Sequence, residues 1–211
     1  MKLFDATLYT NKPLLPAAFV PIRGVYEQYF FDADTINTAK LAPYLTGQEL
    51  VFFDCERPSH FTPDMWAQVG HTADLMGTAP HGFFSMPTPP WGGRYTPEWS
   101  AWIDTFGPAL RNSDAIFPCA YAYSTDPVAW VKSFDIMIEK SRSMAPGKPV
   151  YPFIWWTYMD ESLGYVGDNY WRLMLNQCRR KADGAVIWGG YTEVWSDASP
   201  WWLIAKKYYG A

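Results

Sequence analysis

Three segments of helical pattern in this chain open on a capping residue and then proline: Thr62-Pro63, Thr96-Pro97 and Asp126-Pro127. Such pairs start helices, because a Thr or Asp oxygen satisfies a free amide of the first turn and proline at the first helical position lacks a donor that would have had no partner. Around these starts lie seven apolar, β-branched and aromatic runs that read as strands: FDATLY (4–9), GVYEQYFF (24–31), LVFFDCE (50–56), HGFFSMP (81–87), AIFPCAYAY (115–123), VYPFIWWTY (150–158) and GAVIWGG (184–190). Thr35 before INTAKLAPYL marks a further helix, and DNYWRLMLNQCRRKA (168–182) begins acidic and ends basic, as the helix dipole prefers. From the third run onward each strand is followed by a helix. Alternation of this kind predicts right-handed βαβ units around a parallel sheet covered by helices, and unbroken apolar strands agree, because parallel strands are buried on both faces. The expected fold class is therefore α/β, a parallel (β/α) TIM-like barrel of seven or eight strands, irregular at its first two, in one domain spanning 1–211. An open doubly wound sheet competes, but no Gly-x-Gly-x-x-Gly or phosphate-loop pattern follows a strand. At 211 residues the chain is short for an eight-stranded barrel, which usually takes about 250.

Composition narrows the partner. A net charge of −4 gives no general field for nucleic acid or an anionic membrane surface, so neither is expected. No run of about 18 apolar residues and no signal-peptide pattern at MKLFDATLYTNKP suggest export or a membrane span, and the chain reads as soluble, its compartment open. Cys55, Cys119 and Cys178 are widely spaced and read as buried free thiols. His60, His71 and His81 have no ligand spacing, so neither a metal nor a cofactor is expected. Against this plain background stand 12 Trp, 14 Tyr and 13 Phe. Aromatic rings fill cores, but they also form the apolar platforms on which sugar rings stack. Rings at strand ends would favour the second use, with a carbohydrate as ligand.

In a parallel barrel the loops after the strands carry the chemistry. The strand ends here bring Asp54 and Glu56 on the third run, Trp91 beyond the fourth, Tyr121 and Tyr123 on the fifth, Trp156, Tyr158 and Asp160 on the sixth, and Trp188 and Glu193 on the seventh. Strand alternation puts Asp54 and Glu56 on one side, about 6.8 Å apart along the chain, with Cys55 facing the other way. Two close carboxylates repel, so one keeps its proton and can donate it while the other stays charged. Glu56 then reads as the acid and Asp54 as its orienting partner. The plainer alternative is a solvated strand end with Glu56 paired to Arg57 or Arg94. Glu27 either lines the barrel or pairs with a base. His60 either touches a ligand or does not, His71 reads as helix surface, and Pro200-Trp201-Trp202 as packing.

FFDCERPS (52–59) resembles the acidic-x-Glu-Arg-Pro strand end of the hyaluronidase glycoside hydrolases and, more loosely, the Asp-x-Glu of the chitinase-like clan. The later runs are similar in order: HGFFSMP to their Gly-aromatic-aromatic strand, AIFPCAYAY to the Pro-x-x-Tyr strand, PVYPFIWWTY to the Pro-Val-aromatic strand and GAVIWGG to the closing Gly-x-x-x-Trp-Gly strand. The resemblance spans roughly residues 50 to 190 and lacks the family's disulfides and length. It implies a glycosidase, with Glu56 as general acid/base and Asp54 steadying a 2-acetamido group whose carbonyl attacks the anomeric carbon. It further implies that Tyr121 or Tyr123 contacts the sugar and that Trp188 lies under it. Two other readings stay open: a retaining glycosidase using Glu56 with Glu193 or Asp160 as nucleophile, and a carbohydrate-binding or inactive barrel without turnover.

Overall fold

The computed structural model describes residues 1–47, 49–77, 79–87, 95–159, 163–190 and 193–208. Nine strands are present among them: β1 Lys2–Thr7, β2 Phe19–Pro21, β3 Arg23–Tyr26, β4 Phe31–Asp32, β5 Thr35–Ile36, β6 Val51–Asp54, β7 His81–Phe83, β8 Phe153–Ile154 and β9 Gly184–Gly189. The α-helices are α1 Thr38–Leu41, α2 Pro63–Met76, α3 Pro97–Asp104, α4 Gly107–Asn112, α5 Pro127–Met144, α6 Asp168–Lys181 and α7 Pro200–Ala205. The class is α/β with parallel strands. One sheet has the order β2-β1-β9-β8, a second the order β3-β6-β7, and every pair within them is parallel; β4 and β5 form a small antiparallel hairpin.

Two segments connect the parallel sheets. The stretch 19–26 pairs through its first half with β1, Leu3 opposite Phe19, and through its second half with β6, Arg23 opposite Val51. On the other side, residues 115–122 make single parallel bridges in both directions, Phe84 to Phe117 and Cys119 to Phe153. Why bridges and not a continuous strand is written in the sequence: Pro118 and Pro152 have no amide to donate. Their carbonyls still accept, from Phe153 N and Val186 N, at 2.8 and 2.9 Å.

The capping residues act as the sequence predicts. Thr62 accepts from Met65 N at 3.2 Å, Thr96 from Trp99 N at 3.1 Å and Asp126 from Val128 N at 2.8 Å. Beyond the expected strands 115–123, reduced to bridges, and 150–158, of which Phe153–Ile154 is strand, three further boundaries differ from the expected ones. The second run ends as a strand at Tyr26 and turns through a 3-10 segment, Glu27–Tyr29, because Phe30 and Phe31 turn into the core. The helix expected after Thr35 is a single short turn capped by Asn37, with Pro43 holding the next turn in 3-10 form. The segment after Thr96 divides at Thr105-Phe106, since Pro108 cannot continue the hydrogen-bond ladder of α3.

Between the strands, Phe52, Phe84 and Phe117 surround Phe153, with ring centroids 4.8, 4.7 and 5.9 Å from it. Glycine makes space for this layer. A Cβ on Gly24 would sit 2.6 Å from the Phe52 ring, and one on Gly82 would sit 2.2 Å from the Ala115 carbonyl oxygen. Trp201 and Trp202 are buried as α7 packs on the strands, and Cys55, Cys119 and Cys178 are buried free thiols.

Candidate active site

A cavity of about 1120 Å³ opens over the phenylalanine layer, with Phe52, Phe84 and Phe153 among its lining residues. Asp54 and Glu56 line it as well, and so do Tyr121, Tyr123 and Trp188. The placement follows from register. Asp54 is the last residue of β6, opposite Tyr26 of β3; Cys55 is fully buried; Glu56, one residue on, is exposed to the cavity.

Glu27 supplies the third carboxylate of this end. Its Oε1 pairs with Arg57 Nε at 3.0 Å, and its Oε2 accepts the Arg57 amide at 3.1 Å and meets His60 Nδ1 at 2.9 Å. The other His60 nitrogen faces the Ala33 carbonyl at 3.1 Å, and the ring stacks on Phe31 at 3.8 Å. Arg57 is therefore engaged by Glu27, and His60 is enclosed behind the site and does not line the cavity; Arg94 lies outside the described residues.

Electrostatics separate the two cavity carboxylates. Removal from water, then the charges of Glu56 and Glu27, push Asp54 up to about 8. Glu56 is also raised, first by partial desolvation and then by Glu27. The pair gives up its protons in two steps. Glu56 ionises first, beside a neutral Asp54, and Asp54 follows against two existing negative charges. At neutral pH the pair thus retains a proton, on Asp54.

The rings form a connected wall. Tyr121 lies 5.8 Å from both Trp155 and Trp188, and Trp155 meets Trp188 edge-on at 4.9 Å. Trp188 Nε1 donates to Tyr26 Oη at 3.5 Å, which ties β9 to β3 across the mouth. Tyr123 Oη lies 3.4 Å from Cys119 Sγ, and burial pushes the Cys119 thiol up to about 12, so it remains a neutral wall atom.

The remaining sequence candidates lie elsewhere. Trp156 stacks on Trp201 at 4.2 Å and on Tyr9 at 5.8 Å; Tyr158 packs on Tyr170 at 6.0 Å. Glu193 is exposed beside Tyr9, whose hydroxyl is raised first by burial and then by the Glu193 charge, and the Glu193 carbonyl accepts from Thr10 N at 2.9 Å. None of these three lines the cavity of Asp54 and Glu56. Trp91 and Asp160 lie outside the described residues. Sequence reasoning passed over Tyr26, whose place opposite Asp54 depends on strand register, and over Phe61, Trp99, Trp102 and Ile136, which extend the cavity between α3 and α5. Their helical spacing looks like ordinary core spacing, so only tertiary placement distinguishes them. Among the described residues no group of three or more His, Cys, Asp or Glu side chains is disposed to hold a metal ion, and no helix is long and apolar enough to cross a membrane.

The order of parallel strands and helices is a fold shared with solved structures. The chain is similar to bee venom hyaluronidase, at 15% identity over 82% of this chain and 73% of that one, with a TM-score of 0.58. A second structure of bee venom hyaluronidase, in complex with a hyaluronic acid tetramer, matches at 15% identity over 79% and 67% of the two chains, with a TM-score of 0.55. No protein-family model matches the chain, and no curated protein matches it.

Proposed function

We propose that the chain is a glycoside hydrolase built on a seven-membered (β/α) barrel, acting on a 2-acetamido glycoside with the help of the substrate's own acetamido group. The ring of pairing supports the barrel: stretch 19–26 joins β1 to β6, and 115–122 joins β7 to β8. The observation that carries the activity is the placing of two carboxyl groups, Asp54 and Glu56, in one cavity with Tyr121, Tyr123 and Trp188, where burial raises both above the ordinary carboxylate range.

Protonated Glu56 passes its proton to the glycosidic oxygen as the acetamido carbonyl oxygen attacks the anomeric carbon. The bond to the leaving group breaks, the alcohol departs, and a positively charged oxazolinium ring forms beside the new Glu56 carboxylate. That carboxylate then takes a proton from a water molecule that attacks the anomeric carbon, which opens the ring and restores the acid. Neutral Asp54 contributes in two ways. It leaves the nascent Glu56 anion without a charged neighbour in direct competition, and its carbonyl oxygen accepts the acetamido N–H. Trp188 and the tyrosines supply the face on which the sugar stacks.

The reaction needs Glu56 protonated, so kcat/KM for an aryl 2-acetamido glycoside is expected to be highest in acid and to fall as pH rises through the raised Glu56 ionisation. The direct test is hydrolysis by wild type and Glu56→Gln side by side. The variant is expected to lose at least ~10²-fold in kcat, the scale of a missing acid catalyst, while binding the glycoside as before. Undiminished turnover in Glu56→Gln would remove Glu56 from the reaction. Saturable binding with no turnover by wild type on any glycoside would mark a sugar-binding barrel instead.

A further inference from the structure

The cavity continues past the carboxylates, and its outer lobe has different chemistry. Beyond the carboxylates its lining continues on α3 and α5, with Trp99 and Trp102 from the first and Ile136 and Met137 from the second, and Phe61 packs on Trp102 at 5.8 Å. Its volume, about 1120 Å³, exceeds the ~300–1,000 Å³ typical of pockets that enclose a drug-sized ligand. Trp102 and Ile136 are 45% and 40% exposed and line the same cavity, so the lobe presents apolar surface that a ligand can cover. Polar groups in this lobe are few and partly engaged: the Ser133 carbonyl already accepts from Tyr95 Oη at 2.8 Å. Among the described lining residues Lys132 is the one basic side chain, set against Asp54 and Glu56.

From this we infer that the substrate is a neutral glycoside with an apolar aglycone, an alkyl or aryl group held between α3 and α5 while the sugar sits over Asp54 and Glu56. The inference rests on the glycosidase reading for the sugar end of the cavity. The apolar end stands apart from that reading, on its continuity with the carboxylates and on charge. An acidic glycan would bring a negative charge on every repeat into a site where Glu56 becomes an anion as the bond breaks and where Lys132 is the one basic side chain among the described lining residues. An apolar chain removes rings and aliphatic side chains from water at no electrostatic cost.

The probes are methyl and octyl 2-acetamido-2-deoxy-β-glucosides, the latter below its micelle concentration, and a hyaluronic acid tetramer. Affinity is read from intrinsic tryptophan fluorescence of the Glu56→Gln protein, so that binding is measured without turnover. The octyl glycoside is expected to bind ~100-fold more tightly than the methyl glycoside, a gain that burying about half of the chain can supply. Ile136→Glu, at an exposed position, is expected to reduce that ratio to within a few-fold of one, and Trp102→Ala to do the same by removing the facing wall. Equal affinity for the two glycosides, a ratio unaffected by both substitutions, or preference for the acidic tetramer would overturn the inference and leave the glycosidase reading standing. Octyl binding that survives removal of the sugar, tested with octanol, together with no hydrolysis by wild type, would instead overturn the glycosidase reading and leave an apolar binding lobe.

Discussion

The behaviour of Asp54 turns on where it sits. A carboxylate at the end of a strand buried on both faces has lost much of its water, and Glu27 and Glu56 are its charged neighbours, so its proton is held to about pH 8 against an ordinary value of 3.8. The linked effect on stability has a definite sign. Between pH 4 and 8 the folded chain holds a proton at this site that the unfolded chain has released, so stability falls as pH rises through that window and the full cost is present above it. Asp54→Asn removes the titrating group and keeps the shape. Its melting temperature is expected to match that of wild type near pH 4 and to exceed it by roughly 5 °C or more at pH 9. Thermal melts of the two proteins across pH check this, and a constant difference at all pH values would mean that Asp54 is not held protonated. Glu27 shows the opposite solution to the same problem: its charge is compensated locally by Arg57 and faces His60, so Arg57 is drawn away from Glu56.

At the level of elements, local chemistry sets the helix starts and tertiary geometry sets which residues meet. Thr62, Thr96 and Asp126 were legible as helix starts because a cap and a proline act within one turn of chain. The same proximity made Asp54 and Glu56 legible as a pair, two residues apart on one strand. Tyr26 was not legible as their neighbour, since its position depends on the parallel register of β3 against β6. Nor could Trp156 be told from Trp188 by sequence. Both are rings near strand ends, yet one stacks on Trp201 and the other lines the cavity. Strand 115–123 was expected to be continuous, and Pro118 reduces it to bridges. Close approach at Gly82 was likewise invisible in the sequence and gives a sharp expectation. A methyl group there would meet the Ala115 carbonyl oxygen at 2.2 Å, and backbone cannot rotate away as a side chain can. Gly82→Ala is expected to cost at least ~2 kcal/mol, in the range of overpacked cores, measured as a lowered denaturant midpoint. A loss under ~0.5 kcal/mol would show that β7 and the 115–122 segment separate easily.

For the molecule as a whole, the question is whether the two parallel sheets are one cooperative body. Each sheet alone leaves an edge strand exposed, and such edges invite mispairing. The stretch 19–26 serves both edges at once: Phe19 and Val20 lie in register with β1, Gly24 and Val25 with β6, and the Ile22 amide between them donates to the Asp5 carbonyl at 3.3 Å. On the far side Phe117 and Cys119 connect to both sheets, and the rings of Phe52 and Phe153, one from each sheet, lie 4.8 Å apart. Pulling either sheet away therefore exposes the same phenylalanine layer and both junctions together. Unfolding is expected to be a single transition, with far-ultraviolet circular dichroism and tryptophan fluorescence giving coincident midpoints in urea. The two probes have different reach. Trp156 and Trp201 report on the packing of α7 near β9, Trp66 reports on α2 against Phe83 of β7, and the dichroism averages all helices. Separated midpoints would reveal two halves folding independently and would break the ring on which the proposed barrel rests. Coincidence carries a functional consequence as well. Asp54 comes from one sheet and Trp188 from the other, so the cavity that holds both can exist only while the sheets remain joined.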